Sequence, residues 1–202
     1  MREYGFCLRA ICLLTGYLLG GVLTAEAVAR SLTGQSARAL GTGNPGMANI
    51  MAQLGKPAGF AVLAGDAAKT VLAVWFCVRY AAPELGRTAV LYAGLGAILG
   101  HNWPLWHGFR GGKGVAVTCT WLILYLPVTG ILCCIAGGAA TILWGYLPVG
   151  AVLIPLLAVP VAAIQYGTEA GLGTAVAAAV MVGRHAKGLR GVWQGREPRF
   201  FR

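Results

Sequence analysis

The stretch GVAVTCTWLILYLPVTGILCCIAGGAATILWGYLPVGAVLIPLLAVPVAAIQYGT, residues 114–168, contains no aspartate, glutamate, lysine or arginine. Over the whole chain of 202 residues, 57% are hydrophobic and 11% are charged, whereas about 25% charged residues are typical of soluble domains. A helix that crosses a bilayer needs about 20 apolar residues. Together with the apolar run 170–183, this stretch therefore predicts four short crossings, which break at Pro127, at 145–148 and at 167–171.

Three further apolar runs precede this stretch, at 6–29, 57–80 and 88–106. The complete pattern predicts an all-α, polytopic integral membrane protein with about seven transmembrane helices. An alternative with five helices, in which the crossings between 114 and 168 merge, also places the two termini on opposite sides of the membrane. The first run lacks a clear small-residue cleavage site, so we interpret it as a retained span and not as a signal peptide. With no internal repeat in view, we expect a single domain, residues 1–202.

The distribution of positive charge predicts the orientation of the chain, whose formal net charge is +10. One face would hold Arg30, Arg38, Lys56, Arg110, Lys113, Arg184, Lys187, Arg190, Arg196, Arg199 and Arg202. The other face would hold Arg2, Arg9, Arg79 and Arg87. The positive-inside rule then places the N-terminus outside and the C-terminus in the cytoplasm. A basic tail can also bind nucleic acid, but cations beside apolar spans are typical of an anionic membrane surface, so the bilayer is the predicted partner.

The cysteines predict neither a disulfide nor a metal site. They show no CxxC pair and no Cys/His ligand spacing, so small buried thiols are the simpler interpretation. All of them lie in apolar runs: Cys7, Cys12, Cys77, Cys119, Cys133 and Cys134.

A polar loop, ALGTGNPGMANIM at 39–51, follows the first apolar run. Glycines allow positive φ and close approach, so successive backbone N–H groups can form a nest for an anion, with hydroxyl and amide side chains as further donors. Phosphate suits such a loop, although an ordinary Gly/Asn/Pro turn between helices explains the same residues equally well. The candidate ligands are Gly41, Thr42, Gly43, Asn44, Gly46 and Asn49.

A second polar loop, GHNWPLWHGFRGGKG at 100–114, carries two cations, Arg110 and Lys113, on either side of two glycines. Fixed positive charge beside a flexible backbone again favours phosphate. The alternative is a pair of topology-setting cations within an aromatic belt. His101 and His107 could act as a base or a metal ligand, but a lone interfacial histidine more often only satisfies a hydrogen bond.

Two further sites place charge near apolar segments. Asp66 and Lys69 lie one helical turn apart inside the second run. Inserting either charge alone at the centre of a membrane helix would cost about 2.5–3.5 kcal/mol, so they predict either an internal ion pair or a polar cavity.

At the end of the last run, His185 is a titratable ring in a positive field and could hydrogen-bond an anionic phosphate. Glu197 is the acid among the tail cations, whereas Glu26 is ambiguous because a shorter first helix would place it at the interface.

Five segments, in the same order and spacing, resemble the bacterial acyl-phosphate:glycerol-3-phosphate acyltransferase family. They are YLLGG at 17–21, GTGNPGMAN at 41–49, DAAK at 66–69, GHNWPLWHGFRGGKG at 100–114, and RH followed by GRE within 184–197. Each motif alone is weak, but the ordered set runs the length of the chain and is specific.

The resemblance implies a multi-pass enzyme of the bacterial inner membrane that acts in phospholipid biosynthesis. It would transfer an acyl group from acyl phosphate to the 1-hydroxyl of glycerol 3-phosphate, releasing phosphate and lysophosphatidic acid at the cytoplasmic side, without a cofactor, a metal or an acyl carrier. The residues expected to be catalytic are Thr42, Lys113 and His185. Those expected to bind substrate are Gly41, Gly43, Asn44, Gly46, Asn49, Asp66, Lys69, His101, Arg110, Gly111, Gly112 and Glu197.

The sequence departs from the family pattern at four positions: Thr42 replaces serine, Ala48 threonine, Ala52 arginine and Gly188 asparagine. The threonine keeps a hydroxyl, but a lost charge-assisted hydrogen bond costs about 1.5–3 kcal/mol. Nearby cations could compensate: Lys56, Lys187 and Arg190. The alternative hypothesis is a noncatalytic or retuned membrane paralogue that binds or transports a phosphate-bearing ligand.

Overall fold

The computed structural model describes residues 2–199, apart from the side chains of residues 2 and 3, and every regular element in this range is helical. Arg202, one of the predicted tail cations, lies outside the described residues. The α-helices of the range are α1 (Arg2–Gly20), α2 (Thr24–Thr33), α3 (Met47–Leu54), α4 (Lys56–Leu85), α5 (Thr88–Asn102), α6 (Val115–Tyr125), α7 (Pro127–Trp144) and α8 (Leu147–Trp193). The chain packs as two compact units that divide between Thr120 and Trp121.

Four helical segments within residues 2–199 are long and apolar enough to cross a membrane: Tyr4–Thr33, Lys56–Leu85, Pro127–Trp144 and Leu147–Trp193. A straight helix of 47 residues would be about 70 Å long, more than twice the thickness of the hydrocarbon core. Gly167 interrupts α8 with φ 82° and ψ −174°, which leaves two arms at 147–166 and 168–193. The predicted breaks at Pro127, 145–148 and 167–171 are therefore confirmed, whereas seven crossings and their orientation stay predictions.

The first apolar run is not one continuous helix, because α1 ends at Gly20 and α2 begins at Thr24. The break leaves two carbonyls outside the helical hydrogen-bond pattern, and both find side-chain donors. Trp106 Nε1 donates to the Gly21 carbonyl at 2.9 Å, and Lys69 Nζ donates to the Val22 carbonyl at 2.7 Å. The end of α1 is thereby tied to residues from later in the chain.

In the first unit, α1 and α5 pack through glycines spaced four residues apart. A Cβ at Gly16 or Gly20 would collide with the backbone of α5, and a Cβ at Gly96 or Gly100 would collide with the backbone of α1. Small residues at this spacing allow two membrane helices to approach closely. The residue pairing advances in the same direction along both helices, so they run parallel, and the polar segments that follow them leave from the same end of the unit.

In the second unit, α7 packs against α8, and the two arms of α8 fold back on each other. A Cβ at Gly171 on the second arm would lie 2.7 Å from Ala163 Cβ on the first. An apolar groove of about 610 Å³ lies between the arms, with Leu156 and Pro160 on one wall and Ala178 and Val182 on the other. The groove extends to Gly183, two residues before His185.

Candidate functional site

Residues 41–46, within the first polar loop, are called the opening loop here. The side chain of Asn49 holds the two ends of this loop together. Its Oδ1 accepts a hydrogen bond from the Thr42 N–H, and its Nδ2 donates to the Leu40 carbonyl, both at 2.9 Å. Gly41 and Gly43 have φ values of 50° and 73°, a region that favours glycine. Gly41 and Gly43 thus adopt the positive φ expected of the loop glycines, whereas Gly46 is extended, with φ −155°. The Asn49 amide, predicted to bind substrate, closes the loop.

Several backbone N–H groups of the opening loop bond within the loop itself. The Gly43 N–H donates to the Leu40 carbonyl and the Gly46 N–H to the Asn44 carbonyl, both at 2.9 Å. The Asn44 N–H reaches Thr42 Oγ1 at 3.4 Å. The donors best placed for an anion are therefore the exposed Thr42 hydroxyl and the N–H groups in the first turn of α3, which has no side-chain cap. Anion binding by this loop stays a prediction.

Asp66, Lys69 and His101 form one buried polar cluster, with exposed fractions of 2%, 6% and 3%. Lys69 Nζ lies 2.8 Å from Asp66 Oδ1 and 2.9 Å from His101 Nδ1. Thr24 Oγ1 also donates to Asp66 Oδ1, at 3.3 Å. The structure thus brings together three residues predicted to bind substrate, and it places them in contact with one another inside the first unit.

The last two residues of α5 hold the basic loop, residues 103–113, in a closed turn. The carbonyls of His101 and Asn102 accept hydrogen bonds from the N–H groups of Gly112 and Gly111, both at 3.1 Å. A Cβ at Gly112 would collide with His101 Nε2 and would lie 3.0 Å from the Pro45 carbonyl oxygen. A glycine at position 112 therefore lets the basic loop lie against the opening loop, and the predicted catalytic lysine follows directly.

Arg38 makes a second connection to the basic loop. Its guanidinium group donates to the carbonyl of His107 at 3.4 Å and to the carbonyl of Arg110. Burial, followed by the charge of Arg38, lowers the pKa of His107, so this ring is neutral at neutral pH. The sequence predicts only that Arg38 helps to set the membrane orientation, because the residue pattern does not show which carbonyls its side chain reaches.

Buried Glu26 fixes the turn that carries Arg38. Glu26 Oε2 accepts hydrogen bonds from Ser36 Oγ and the Ala37 N–H, both at 3.0 Å, and its Oε1 pairs with Arg30 Nε at 2.8 Å. The ambiguity about Glu26 is thereby resolved: it lies in α2, after the helix break, and organises the start of the polar segment.

In the second unit, His185 is 1% exposed and its Nδ1 lies 3.0 Å from the Met181 carbonyl oxygen. A carbonyl only accepts hydrogen bonds, so Nδ1 carries a proton and the lone pair of the neutral ring is on Nε2. This tautomer leaves Nε2 as the nitrogen that could accept a proton from a hydroxyl group.

Glu197 folds the tail back onto the second arm of α8. Its N–H donates to the Gly191 carbonyl at 3.1 Å. A Cβ at Gly188 would lie 3.2 Å from Glu197 Oε1 and 2.6 Å from Pro148 Cγ. The carboxylate and the proline ring therefore occupy the space that a side chain at position 188, such as the expected asparagine, would need.

Two further departures from the family pattern, Ala48 and Ala52, lie on α3. Ala48 is half-buried and Ala52 is exposed. The amide of Gln53 packs against the opening loop, with Nε2 2.7 Å from the position of a Cβ at Gly41. The sequence alone does not indicate Gln53 as a donor, because the position of its side chain depends on how α3 folds over the loop.

The predicted site residues thus fall into two sets. Those of the first unit lie in the opening loop, the basic loop and the buried cluster that contacts it, with Arg110 exposed and Lys113 half-buried. His185 and Glu197 belong to the second unit. Among residues 2–199, no three His, Cys, Asp or Glu side chains are grouped so as to hold a metal ion; a reaction without metal or cofactor stays a prediction.

Comparison with known proteins gives a consistent match. A family model described as glycerol-3-phosphate acyltransferase matches residues 10–195. The glycerol-3-phosphate acyltransferase 1 of Lactobacillus johnsonii is 32% identical over 94% of this chain and 91% of its own length. The glycerol-3-phosphate acyltransferase of Laribacter hongkongensis is 36% identical over 93% of this chain and 94% of its own.

A solved structure has a similar fold. PlsY, described as an integral membrane glycerol 3-phosphate acyltransferase in its glycerol 3-phosphate form, superposes with a TM-score of 0.83 at 26% identity. The match covers 95% of this chain and 94% of that one.

Proposed function

Because the chain belongs to the glycerol-3-phosphate acyltransferase family, we propose that it acylates glycerol 3-phosphate at the 1-hydroxyl, with acyl phosphate as the donor. The products are lysophosphatidic acid and inorganic phosphate. The donor is already activated, so binding and orienting two phosphate-bearing substrates is the main task of the protein.

The observation that carries this proposal is the junction of the two polar loops in the first unit. The Pro45 carbonyl meets Gly112 there, and Arg38 bonds to the carbonyls of His107 and Arg110. The junction brings the Thr42 hydroxyl and the start of α3 to the same end of the unit as the basic loop. Neutral donors beside fixed cations suit a phosphate group, and Lys113 is the cation closest in sequence to the junction.

The second unit, taken by itself, has an apolar groove that suits an acyl chain and a histidine that can accept a proton. The groove between the arms of α8 is apolar, as an acyl chain requires. The groove extends to within two residues of His185, whose Nε2 can accept a proton.

The reaction needs one bond to form and one to break. The 1-hydroxyl oxygen of glycerol 3-phosphate attacks the acyl carbonyl carbon, the carbon–oxygen bond to phosphate breaks, and phosphate leaves with the bonding electrons. The hydroxyl proton passes to the departing phosphate or to water. Lys113 stabilises phosphate charge, and Thr42 donates a hydrogen bond to a phosphate oxygen.

The proposed location is the bacterial inner membrane, with the site on the cytoplasmic side. The support is the charge distribution: the segments 30–56, 103–113 and 184–202 hold 11 of the 16 lysines and arginines, and the positive-inside rule assigns such segments to the cytoplasm.

An assay of the purified protein in lipid nanodiscs tests the proposed reaction. We expect lysophosphatidic acid to form from glycerol 3-phosphate and palmitoyl phosphate, and not when palmitoyl phosphate is replaced by palmitoyl-CoA or an acylated carrier protein. Formation of one inorganic phosphate per lysophosphatidic acid checks the balance. Binding of glycerol 3-phosphate without turnover would instead support a noncatalytic paralogue, and turnover with palmitoyl-CoA alone would reject the proposed donor.

A further inference from the structure

The Lys69 ammonium group has three hydrogen-bond acceptors around it. They are the Val22 carbonyl at 2.7 Å, Asp66 Oδ1 at 2.8 Å and His101 Nδ1 at 2.9 Å. A lysine ammonium has three donors and no acceptor, so each N–H has one partner here. The charge is balanced by a carboxylate and all its hydrogen bonds are made, which is what a buried ion pair requires.

This arrangement determines which nitrogen of His101 carries the proton. An ammonium group only donates, so Nδ1 must accept with its lone pair, and the proton of the neutral ring is on Nε2. A direct bond from Nδ1 to Asp66 would need the opposite tautomer, but Nδ1 and Oδ1 are 3.7 Å apart, too far for a hydrogen bond. Asp66 therefore acts on His101 through Lys69.

His101 Nε2 lies at the junction of the two polar loops. The site of a Cβ at Gly112 overlaps Nε2 and is 3.0 Å from the Pro45 carbonyl oxygen. The carbonyl of His101 also accepts the Gly112 N–H at 3.1 Å. Both the ring and the backbone of His101 therefore contact the glycine that precedes Lys113.

We infer that Asp66 and Lys69 hold His101 in its Nε2–H tautomer, and that the three residues position the basic loop and the opening loop against each other. They are thus positioning residues, in place of the substrate-binding role expected from the sequence. The kinetic part of this inference rests on the proposed function, whereas the tautomer does not.

Nitrogen-15 NMR of the histidines tests the tautomer in the full-length protein in nanodiscs. The chain has three histidines, and the spectrum of His101→Gln identifies the His101 signals by their loss. At neutral pH we expect His101 to show a protonated Nε2 and an unprotonated Nδ1. In the double variant Asp66→Asn/Lys69→Met, which removes both charges together, the Nδ1–H form should become populated. A proton on Nδ1 of His101 in the unmodified protein would overturn the inference.

Steady-state kinetics tests the positioning role. His101→Phe removes the hydrogen bond from Lys69 Nζ to the ring, so it should raise the KM for glycerol 3-phosphate about tenfold and change kcat less. His101→Gln keeps a donor near Nε2 and should stay within about threefold of the unmodified KM. Asp66→Asn/Lys69→Met should resemble His101→Phe, whereas Arg79→Met, an exposed cation of the same helix, should leave KM unchanged.

The outcomes of the two measurements are distinct. An unchanged KM in His101→Phe would overturn the positioning role, as would equal losses in His101→Phe and His101→Gln. If the unmodified protein makes no lysophosphatidic acid from acyl phosphate, the proposed function fails, and the NMR result still decides the tautomer.

Discussion

At position 188, a single missing side chain changes how the end of the last helix packs. A Cβ there would lie 2.6 Å from Pro148 Cγ and 3.2 Å from Glu197 Oε1, so the start of α8 and the returning tail both use the space that glycine leaves. An asparagine at this position, as the family resemblance leads us to expect, would therefore require Pro148 or Glu197 to move.

We expect Gly188→Asn to destabilise the protein and not to raise its activity. Forcing a side chain into a filled space costs about 1–3 kcal/mol. The melting temperature in detergent should fall, and the additional change Pro148→Ala, which removes the ring, should recover part of the loss. A Gly188→Asn variant that is more active and equally stable would contradict this account of the position.

Position 52 differs from position 188 because Ala52 is exposed on α3. An arginine is a good helix former and meets open space there, so Ala52→Arg should fold normally. One added charge-assisted hydrogen bond to phosphate should lower the KM for glycerol 3-phosphate about tenfold. Ala52→Met, which has comparable length and no charge, is the matched control, and equal KM values for the two variants would show that position 52 does not reach the substrate.

The turn at 36–38 lies outside the basic loop but holds that loop in place through hydrogen bonds. Glu26 holds the turn, and Arg38 bonds to the carbonyls of His107 and Arg110. A loop with few apolar contacts depends on such hydrogen bonds for its order.

Arg38→Met should therefore loosen the basic loop while the helices remain folded. Hydrogen–deuterium exchange of the amides at 107–113 should become faster, and the KM for glycerol 3-phosphate should rise about tenfold. Arg38→Lys keeps the charge but lacks the planar fork that reaches two carbonyls, so its values should lie between those of Arg38→Met and the unmodified protein. Unchanged exchange in Arg38→Met would show that the loop is held by other contacts.

The helices could be predicted more completely than the contacts between the polar segments. The apolar runs and the positions of proline and glycine predict the breaks at Pro127, at 145–148 and at 167–171, because helix termination is a local property. The interruption after Gly20 was missed, since its carbonyls are satisfied by Lys69 and Trp106, residues far along the chain. The same reason explains why Arg38 and Gln53 were missed.

For the whole molecule, the sequence establishes the membrane setting, and the order of the motifs identifies the family. No change of composition near Thr120 indicates that the chain packs as two compact units, and a single domain over residues 1–202 stays a prediction. The roles of the individual site residues depend on tautomers and hydrogen-bond partners, such as Nδ1 of His101 and of His185, that only the folded chain defines.

Cysteine labelling in intact cells tests the predicted orientation, after the native cysteines have been replaced. Glu84→Cys, at the exposed end of α4, should react with a membrane-impermeant maleimide from outside. Gln35→Cys and Gln194→Cys are also exposed positions, and they should react only after the cells are lysed. Labelling of Gln35→Cys from outside would reverse the assignment of the polar loops to the cytoplasm.

The central claim, that the junction of the two polar loops binds substrate phosphate for acyl transfer, is tested most directly by the kcat/KM for glycerol 3-phosphate of Lys113→Ala. With saturating palmitoyl phosphate, we expect a loss of about ten- to a hundredfold, since one charge-assisted contact contributes about 1.5–3 kcal/mol. Arg87→Ala, an exposed cation at the start of α5, should keep the unmodified value. A Lys113→Ala variant with the same kcat/KM as the unmodified protein would contradict the account.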